Sequence, residues 1–417
     1  MARPGDHRVV VTGLGLVTPC GTGIEASWSA LTAGRSGIGP ITLFDASALP
    51  SRIAGEARDF RVEDWVDRRE SRRMDRFQHF ALAAAQMAVD QARLSGPGVD
   101  RDRVATILGS GIGGIGSLEE THRKALQKGP DRVSPFFILQ MIQNLSPGFV
   151  SMRFGFRGPS WGTNSACATG AHAIGEAMRG IQRGEFDAAL AGASEAPITL
   201  LGVAGFSAMR ALSTRNDDPA GASRPWDRGR DGFVMAEGAG VLALESVEHA
   251  RARDAHVLAE LVGYGASADA HHVTSPAPRH AGGQAGMRRA LADAGLAPSD
   301  VGYVNAHATS TDVGDAREAE GLLDVFGEHL PRLAVSATKS MTGHMNAAAG
   351  AAEAVISVLA LGHGVLPPTI NIQEPDLPEG MDVVPNTARK RRVEVVMSNS
   401  FGFGGTNTSL VFRRFED

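Results

Sequence analysis

The sequence predicts an α/β fold, because short apolar segments typical of buried strands alternate with longer segments rich in alanine. Four apolar segments, at residues 9–17, 104–108, 188–191 and 241–244, run without polar alternation, as strands covered on both faces do. The 51 glycines fall in turn-like clusters along the whole chain, which indicates tight turns between these elements. Together these observations predict sheets packed against helices.

The segments between the predicted strands have helical composition. Residues 80–92 and 168–181 are rich in alanine and other small residues, which favour helices that pack closely on a sheet. A further strand, at residues 259–268, repeats the strand–Gly–x–Gly pattern of residues 9–17. This repeat hints at an internal duplication, although the pattern alone is no dinucleotide-binding signature.

The polar stretch 245–256 is the predicted junction between two halves, residues 1–250 and 251–417. No low-complexity linker separates the halves, so we expect them to pack as one compact body. A chain of 417 residues is long enough for two such units.

The composition excludes several classes of function. A formal net charge of −5 argues against a nucleic-acid binder, which needs a basic face. With only Cys20 and Cys167 there is neither a disulfide framework nor a thiolate metal cluster, so we expect a cytoplasmic protein. The apolar run 9–17 lacks a signal-peptide cleavage pattern and is too short to cross a membrane, which predicts no membrane association.

Cys167 is the first candidate for chemistry. A glycine-rich turn, residues 158–166, delivers it to the start of an alanine-rich helix. Backbone N–H groups at a helix start favour a thiolate, which predicts a lowered pKa for Cys167, and they can stabilise an oxyanion on a thioester carbonyl. The alternative is a small, inert core residue, the interpretation that we keep for Cys20.

Two histidines and a lysine follow. His307 comes after a short apolar strand, in a loop of small and hydroxyl residues suited to acid–base or hydrogen-bonding work. His344 lies near the start of a second small-residue helix, where the positive helix end disfavours imidazolium, and Lys339 is predicted in the preceding loop. Each histidine taken singly is more often a structural residue, since the chain has 13.

The last segment, residues 398–407, reads as a glycine-hinged aromatic loop. Such a loop can gate a tunnel or simply form a turn against the core.

These four segments, in this order, resemble the β-ketoacyl-acyl-carrier-protein synthases, specifically the synthase II type. The resemblance extends over nearly the whole chain and includes Val10-Val-Thr-Gly-Leu-Gly15, Gly109-Ser-Gly-Ile-Gly-Gly114, Ala211-Leu-Ser-Thr-Arg-Asn216, Ser223-Arg-Pro-Trp-Asp227 and Arg230-Asp-Gly-Phe233. It implies a thiolase-like fold, with two similar α/β halves in five α-β-α-β-α layers, and a homodimer.

The resemblance also implies an acyltransferase of fatty-acid synthesis that condenses an acyl group with malonyl-acyl-carrier protein. Cys167 then carries the acyl group, and His307 and His344 promote decarboxylation of the malonyl thioester. Lys339 matches the lysine that supports this site electrostatically.

The remaining roles that the resemblance implies are of four kinds. Phe403 would gate the site and, together with Cys167, form the oxyanion hole, and Glu353 and Phe401 would support the catalytic residues. Thr309 and Thr311 would donate hydrogen bonds to phosphopantetheine. Ile112 and Phe206 would line the acyl pocket. For this pocket, simple core packing is an equally good interpretation. No organic cofactor and no catalytic metal are implied, although a structural monovalent cation near Asn305 and Glu353 is compatible with the family.

The implied partner is an acidic acyl carrier protein. Arg69, Arg72 and Arg73, joined by Arg210, are the expected docking residues, because complementary charge steers association. A run of charges is otherwise usually a solvated face.

Ala308 and Ala347 stand where the family usually has glycine, and a methyl group beside His307 would narrow the pantetheine tunnel. A ketosynthase of a specialised polyketide or secondary-lipid pathway is therefore the alternative, followed by a non-catalytic chain-length partner. The nucleophile and both histidines argue against the latter. A thiolase would need a second active cysteine near residues 399–405, where there is none.

Overall fold

The structure is a computed structural model that describes residues 7–416. The outermost ends of the two predicted halves, residues 1–6 and 417, lie outside the described residues. The strands are β1 (Val9–Thr18), β2 (Gly21–Thr22), β3 (Ile38–Pro40), β4 (Ile53–Gly55), β5 (Val104–Gly109), β6 (Ser160–Trp161), β7 (Ala188–Glu195), β8 (Gly238–Ser246), β9 (Ala259–Ala268), β10 (Tyr303–Asn305), β11 (Ala334–Ser336), β12 (Val365–Leu366), β13 (Arg389–Lys390), β14 (Val395–Gly402) and β15 (Thr406–Arg413).

The predicted strands and helices are all present, with longer bounds in most cases. The α-helices are α1 (Ile24–Thr32), α2 (Arg68–Ser71), α3 (Arg76–Ala92), α4 (Ile115–Lys128), α5 (Phe137–Met141), α6 (Leu145–Phe154), α7 (Thr169–Gln182), α8 (Leu200–Ala208), α9 (Val247–Ala252), α10 (Ala281–Ala294), α11 (Asp312–Phe326), α12 (Lys339–Thr342) and α13 (Ala349–His363).

The sheet topology shows an internal duplication. One set of strands runs in the order β6-β5-β7-β8-β1, and a second runs in the matching order β11-β10-β14-β15-β9. Corresponding neighbours are parallel or antiparallel in the same places. The two sets meet where Val9–Val11 of β1 pair with Ala259–Leu261 of β9.

Helices cover both sets of strands and form five layers. Helices α7 and α13 pack against each other between the two sets, α3 covers the outer face of the first, and α10 covers the outer face of the second. The predicted five-layered, duplicated α/β architecture is therefore confirmed. The second set begins at β9, whereas the division of the chain at residue 250 stays a prediction.

The repeated Gly–x–Gly pattern has a packing explanation. A Cβ atom on Gly13 or Gly15 would lie about 2 Å from the backbone oxygens of α3, and one on Gly263 or Gly265 would lie equally close to those of α10. Glycine at these positions lets each outer helix approach its strand directly.

Two local predictions were wrong. Lys339 does not lie in a loop, because it begins the short buried helix α12. Residues 398–407 are mostly a hairpin of β14 and β15, so that only residues 403–405 form the turn between the strands. Across residues 7–416, no helix combines the length and the apolar character needed to span a bilayer.

Candidate active site

Cys167 lies at a sharp turn that leads into the central helix α7. Ala166 has a φ of 51°, in the left-handed region that few residues other than glycine adopt. The turn is fastened because the Ser165 N–H donates to the Thr169 hydroxyl at 2.8 Å and the Thr406 hydroxyl donates to the Ser165 carbonyl at 2.9 Å. The geometry directs the half-buried Cys167 side chain into a cavity of about 540 Å³.

The two predicted histidines lie next to this thiol. His344 Nε2 is 3.0 Å from Cys167 Sγ, and the rings of His307 and His344 are 5.4 Å apart, edge to face. The potential ligand atoms of these three side chains all lie within 4.8 Å of one another. The structure thus joins residues that are 140 and 177 positions apart from Cys167 in the sequence.

The pKa of Cys167 differs from the lowered value that its position before a helix predicts. Burial raises the pKa of Cys167 to about 11, although Lys339 and the Phe403 N–H both act to lower it. The predicted depression of this pKa was therefore wrong, because loss of solvent outweighs the favourable groups around the thiol.

Both histidines are held neutral. Burial, reinforced by the charge of Lys339, holds the pKa of His344 well below its ordinary value, and the same two causes act on His307. The direction predicted for His344 is correct, although burial is the main cause. Nδ1 of each ring is buried without a hydrogen-bond partner.

Lys339 and Glu353 form a buried ion pair behind the histidines. Lys339 Nζ donates to Glu353 Oε1 at 2.5 Å, and both side chains are almost fully buried. Burial raises the pKa of Glu353 while the lysine opposes this shift. The pair places a positive charge close enough to lower the pKa of Cys167 and of both histidines.

The turn between β14 and β15 completes the thiol environment. The Phe403 N–H faces the Cys167 sulfur and acts to lower its pKa, and a Cβ on Gly402 would come within 3.1 Å of the Cys167 nitrogen. Phe401, which is buried, packs 5.7 Å from the His307 ring and 4.2 Å from the His280 ring.

The other predicted pocket residues line the same cavity. Thr309 and Thr311 lie with their hydroxyl oxygens 3.1 Å apart, and Phe206 packs edge-on against Phe233 at 5.4 Å. Ile112 lines this cavity and also a neighbouring one of about 520 Å³. The methyl-bearing Ala308 and Ala347 both contribute to the cavity wall.

The predicted docking arginines are exposed. Arg69, Arg72 and Arg73 lie on or just after α2, and Arg210 lies at the edge of the cavity. Within residues 7–416 none of the four forms an ion pair, although Arg73 stacks on Phe136 at 5.1 Å. No hydrogen bond or ion pair links Arg210 to the other three in the described part of the chain.

Three site residues were missed by the sequence reasoning. Glu318 accepts hydrogen bonds from the N–H groups of His307 at 2.9 Å and Ala308 at 2.6 Å, and burial raises its pKa to about 7. Glu195 and His280 also line the cavity. Glu195 and Glu318 belong to none of the four segments that carry the predicted site, and His280 lies in a polar stretch that shares no motif with them, so no local signal marked the three residues.

A duplicated five-layered fold with a Cys–His–His cluster between its halves defines the ketosynthase class of acyltransferases, which have the thiolase-like fold. The β-ketoacyl synthase N-terminal domain profile matches residues 6–250, and the C-terminal domain profile matches residues 258–373. The chain therefore belongs to the β-ketoacyl synthase family.

Individual proteins support this assignment. The chain is 49% identical to the 3-oxoacyl-acyl-carrier-protein synthase 2 of Coxiella burnetii (strain RSA 493 / Nine Mile phase I), over 99% of both chains. A β-ketoacyl synthase from Burkholderia phymatum STM815 superimposes with a TM-score of 0.91 at 37% identity, over 98% of this chain and 100% of that one. A type II polyketide-synthase ketosynthase, solved bound to the hexaketide with its acyl-carrier protein, gives 0.90 at 34% identity, over 98% and 100%.

Proposed function

We propose that this chain joins an acyl group held on Cys167 to malonyl-acyl-carrier protein, releasing CO₂ and giving 3-oxoacyl-acyl-carrier protein in fatty-acid elongation. The observation that carries the proposal is the 3.0 Å contact between Cys167 Sγ and His344 Nε2, with His307 beside it in one cavity. The higher identity to a synthase 2 than to a polyketide ketosynthase favours elongation over a specialised pathway.

In the first half-reaction, Cys167 Sγ attacks the carbonyl carbon of the acyl thioester. The thiol loses its proton as the new S–C bond forms, and the departing pantetheine sulfur takes up a proton. His344 Nε2 lies 3.0 Å from Sγ, within hydrogen-bonding distance of the sulfur. The N–H groups of Cys167 and Phe403 are suited to stabilise the oxyanion, because both already face the sulfur.

In the second half-reaction, the malonyl C–CO₂⁻ bond breaks and its electrons pass to an enolate. Neutral His307 and His344 donate hydrogen bonds to the enolate oxygen, which is the charge that develops in the transition state. The enolate carbon then bonds to the acyl carbon on Cys167, the C–S bond breaks, and the Cys167 sulfur takes up one proton from water, which is the proton that the decarboxylation consumes. Lys339, paired with Glu353, adds positive charge without acting as a base.

A structural monovalent cation fits a buried polar group beside this site. Asn305 and Ser398 are register partners on β10 and β14, and their side-chain polar atoms, together with Glu353 Oε2, are buried without hydrogen-bond partners. Oxygen atoms of these three residues would hold the ion, which would satisfy polar atoms that have no other partner among the described residues.

The first test is intact-protein mass spectrometry after incubation with acyl-carrier-protein thioesters, followed by peptide mapping. We expect one acyl adduct, on Cys167, and neither adduct nor condensation product in Cys167→Ala. Wild-type turnover in Cys167→Ala would refute the assignment, and acylation of Cys20 in its place would refute the role of the nucleophile.

Carrier-protein docking on Arg69, Arg72, Arg73 and Arg210 is supported by their exposure and by the lack of an ion pair between them and any described residue, which leaves four positive charges available to an acidic partner. Pantetheine attached to that partner would reach Cys167 past Thr309 and Thr311, which line the cavity.

Arg72→Glu tests this docking surface. Charge reversal should raise the apparent KM for acyl-carrier-protein substrates by about tenfold, while leaving short thioester mimics unaffected. Arg332→Glu is the control, at another exposed arginine that forms no ion pair with the residues in the described range 7–416. Equal effects of Arg72→Glu on both substrate types would contradict docking.

A homodimer is supported by one apolar surface. Leu118, Ile138 and Leu139 of α4 and α5 are 39%, 54% and 40% exposed, and Trp161 lies on β6 at the open edge of the sheet. Leu118 also lines the 520 Å³ cavity, so a partner on this surface would close that cavity. A cytoplasmic location rests on the two-cysteine composition.

A further inference from the structure

Ile112 separates the two cavities, and its position depends on a loop with few side chains. The loop 109–114 contains four glycines, with Ser110 and Ile112 as its only side-chain-bearing residues. A long acyl chain that extends from Cys167 past Ile112 would enter the second cavity, whose wall includes Ile115, Leu118 and Ile142. Because four of its six residues are glycines, the loop must be held in place by hydrogen bonds from other segments.

Glu195, at the end of β7, provides this support. Its carboxylate accepts hydrogen bonds from the Ser110 hydroxyl at 2.8 Å, the Gly111 N–H at 2.8 Å and the Ile112 N–H at 3.1 Å. A Cβ on Gly111 would lie 2.8 Å from Glu195 Oε2, so glycine is required for this close approach. Ser110 Oγ in turn accepts from the Gly113 N–H at 3.0 Å.

The same carboxylate reaches the histidine side of the cavity. Glu195 Oε2 also accepts from the N–H of Ala347, three residues after His344, at 3.4 Å. Glu195 is fully buried, and every hydrogen bond that it accepts comes from a segment of the cavity wall. Four donors share two oxygens, which an ionised carboxylate satisfies and a primary amide does not.

We propose that Glu195 is a positioning residue for chain-length selectivity, holding the loop 110–113 so that Ile112 stands between the catalytic cavity and the second cavity. The proposal deepens the proposed condensing function and rests on it. Glu195 acts through Ile112 and takes no part in bond making.

The test compares wild type with Glu195→Gln, using myristoyl and hexanoyl carrier-protein donors. The amide retains the size of the side chain but presents two donors to neighbouring N–H groups, which should release the loop and let Ile112 move. We expect the ratio of kcat/KM for the long donor to that for the short donor to rise about tenfold. Glu260→Gln, at a buried carboxylate that pairs with Arg8 and Arg413 and does not line the cavity, should leave this ratio unchanged.

A double-mutant cycle separates this role from a merely structural one. If Glu195 acts through Ile112, Glu195→Gln should have no further effect on the ratio when Ile112→Ala is already present. An unchanged ratio in Glu195→Gln, or additive effects in the double variant, would overturn the proposal. Should Glu195→Gln fail to fold, Ser110→Ala removes one donor to the same carboxylate and should shift the ratio in the same direction. Failure of the condensing function itself would appear separately, as a wild type that forms no acyl adduct.

Discussion

The groups around Cys167 have opposing effects on the pKa of its thiol. The Phe403 N–H and the Lys339 charge favour a thiolate, whereas burial away from solvent disfavours it, and burial is the larger effect. The helix that follows begins only at Thr169, two residues further on. The structure therefore favours loss of the proton during attack over a thiolate formed beforehand.

This assignment predicts the titration of the thiol. Thiolate absorbance, taken as the difference between wild type and Cys167→Ala, should appear with a midpoint near pH 11, above the ordinary thiol value of about 8.5. Cys20 cancels in the difference, and burial raises its pKa to about 12. A midpoint below the ordinary value would show that the charged groups outweigh burial.

The hairpin of β14 and β15 places the gating turn against the nucleophile. Gly402 approaches the turn at Cys167 so closely that a Cβ atom would lie 2.7 Å from the Ser165 oxygen and 2.6 Å from the Thr406 hydroxyl. Most of these neighbours are backbone atoms of the hydrogen-bonded turn at Cys167, which cannot move aside easily. An added methyl group would therefore displace the hairpin.

Gly402→Ala should therefore separate the Phe403 N–H from Cys167. We expect Cys167 acylation to slow by about a hundredfold, the usual effect of losing one oxyanion donor, while the circular dichroism spectrum stays unchanged. Gly362→Ala, in α13 where a Cβ atom meets no neighbour, is the control and should acylate at the wild-type rate. Normal acylation by Gly402→Ala would exclude the Phe403 N–H from the oxyanion site.

For the molecule as a whole, the open β6 edge and the apolar residues around it form an exposed surface that the proposed dimer would cover. The Ile138 side chain is 54% exposed there, beside a cavity that opens towards the same surface. A second copy of the chain would bury both.

Ile138→Glu should then shift the protein from dimer to monomer in light scattering after gel filtration, because a charge would be buried without a partner. It should also weaken the binding of long acyl chains. Leu323→Glu, which changes a 41% exposed leucine of α11 in the other half, should leave the mass unchanged. A monomeric wild type would contradict the proposed dimer.

The sequence by itself determined the α/β class, the turn at Cys167, the position of His307 after a short strand and that of His344 close to the start of a helix, because periodicity, glycine and helix formers act over a few residues. The resemblance added the five layers and the roles. Only the tertiary structure decided the 3.0 Å contact between Sγ and Nε2, the raised pKa of Cys167 and the parts taken by Glu195 and Glu318. Burial and long-range hydrogen bonds depend on which distant segments meet, and no local pattern in the chain contains that information.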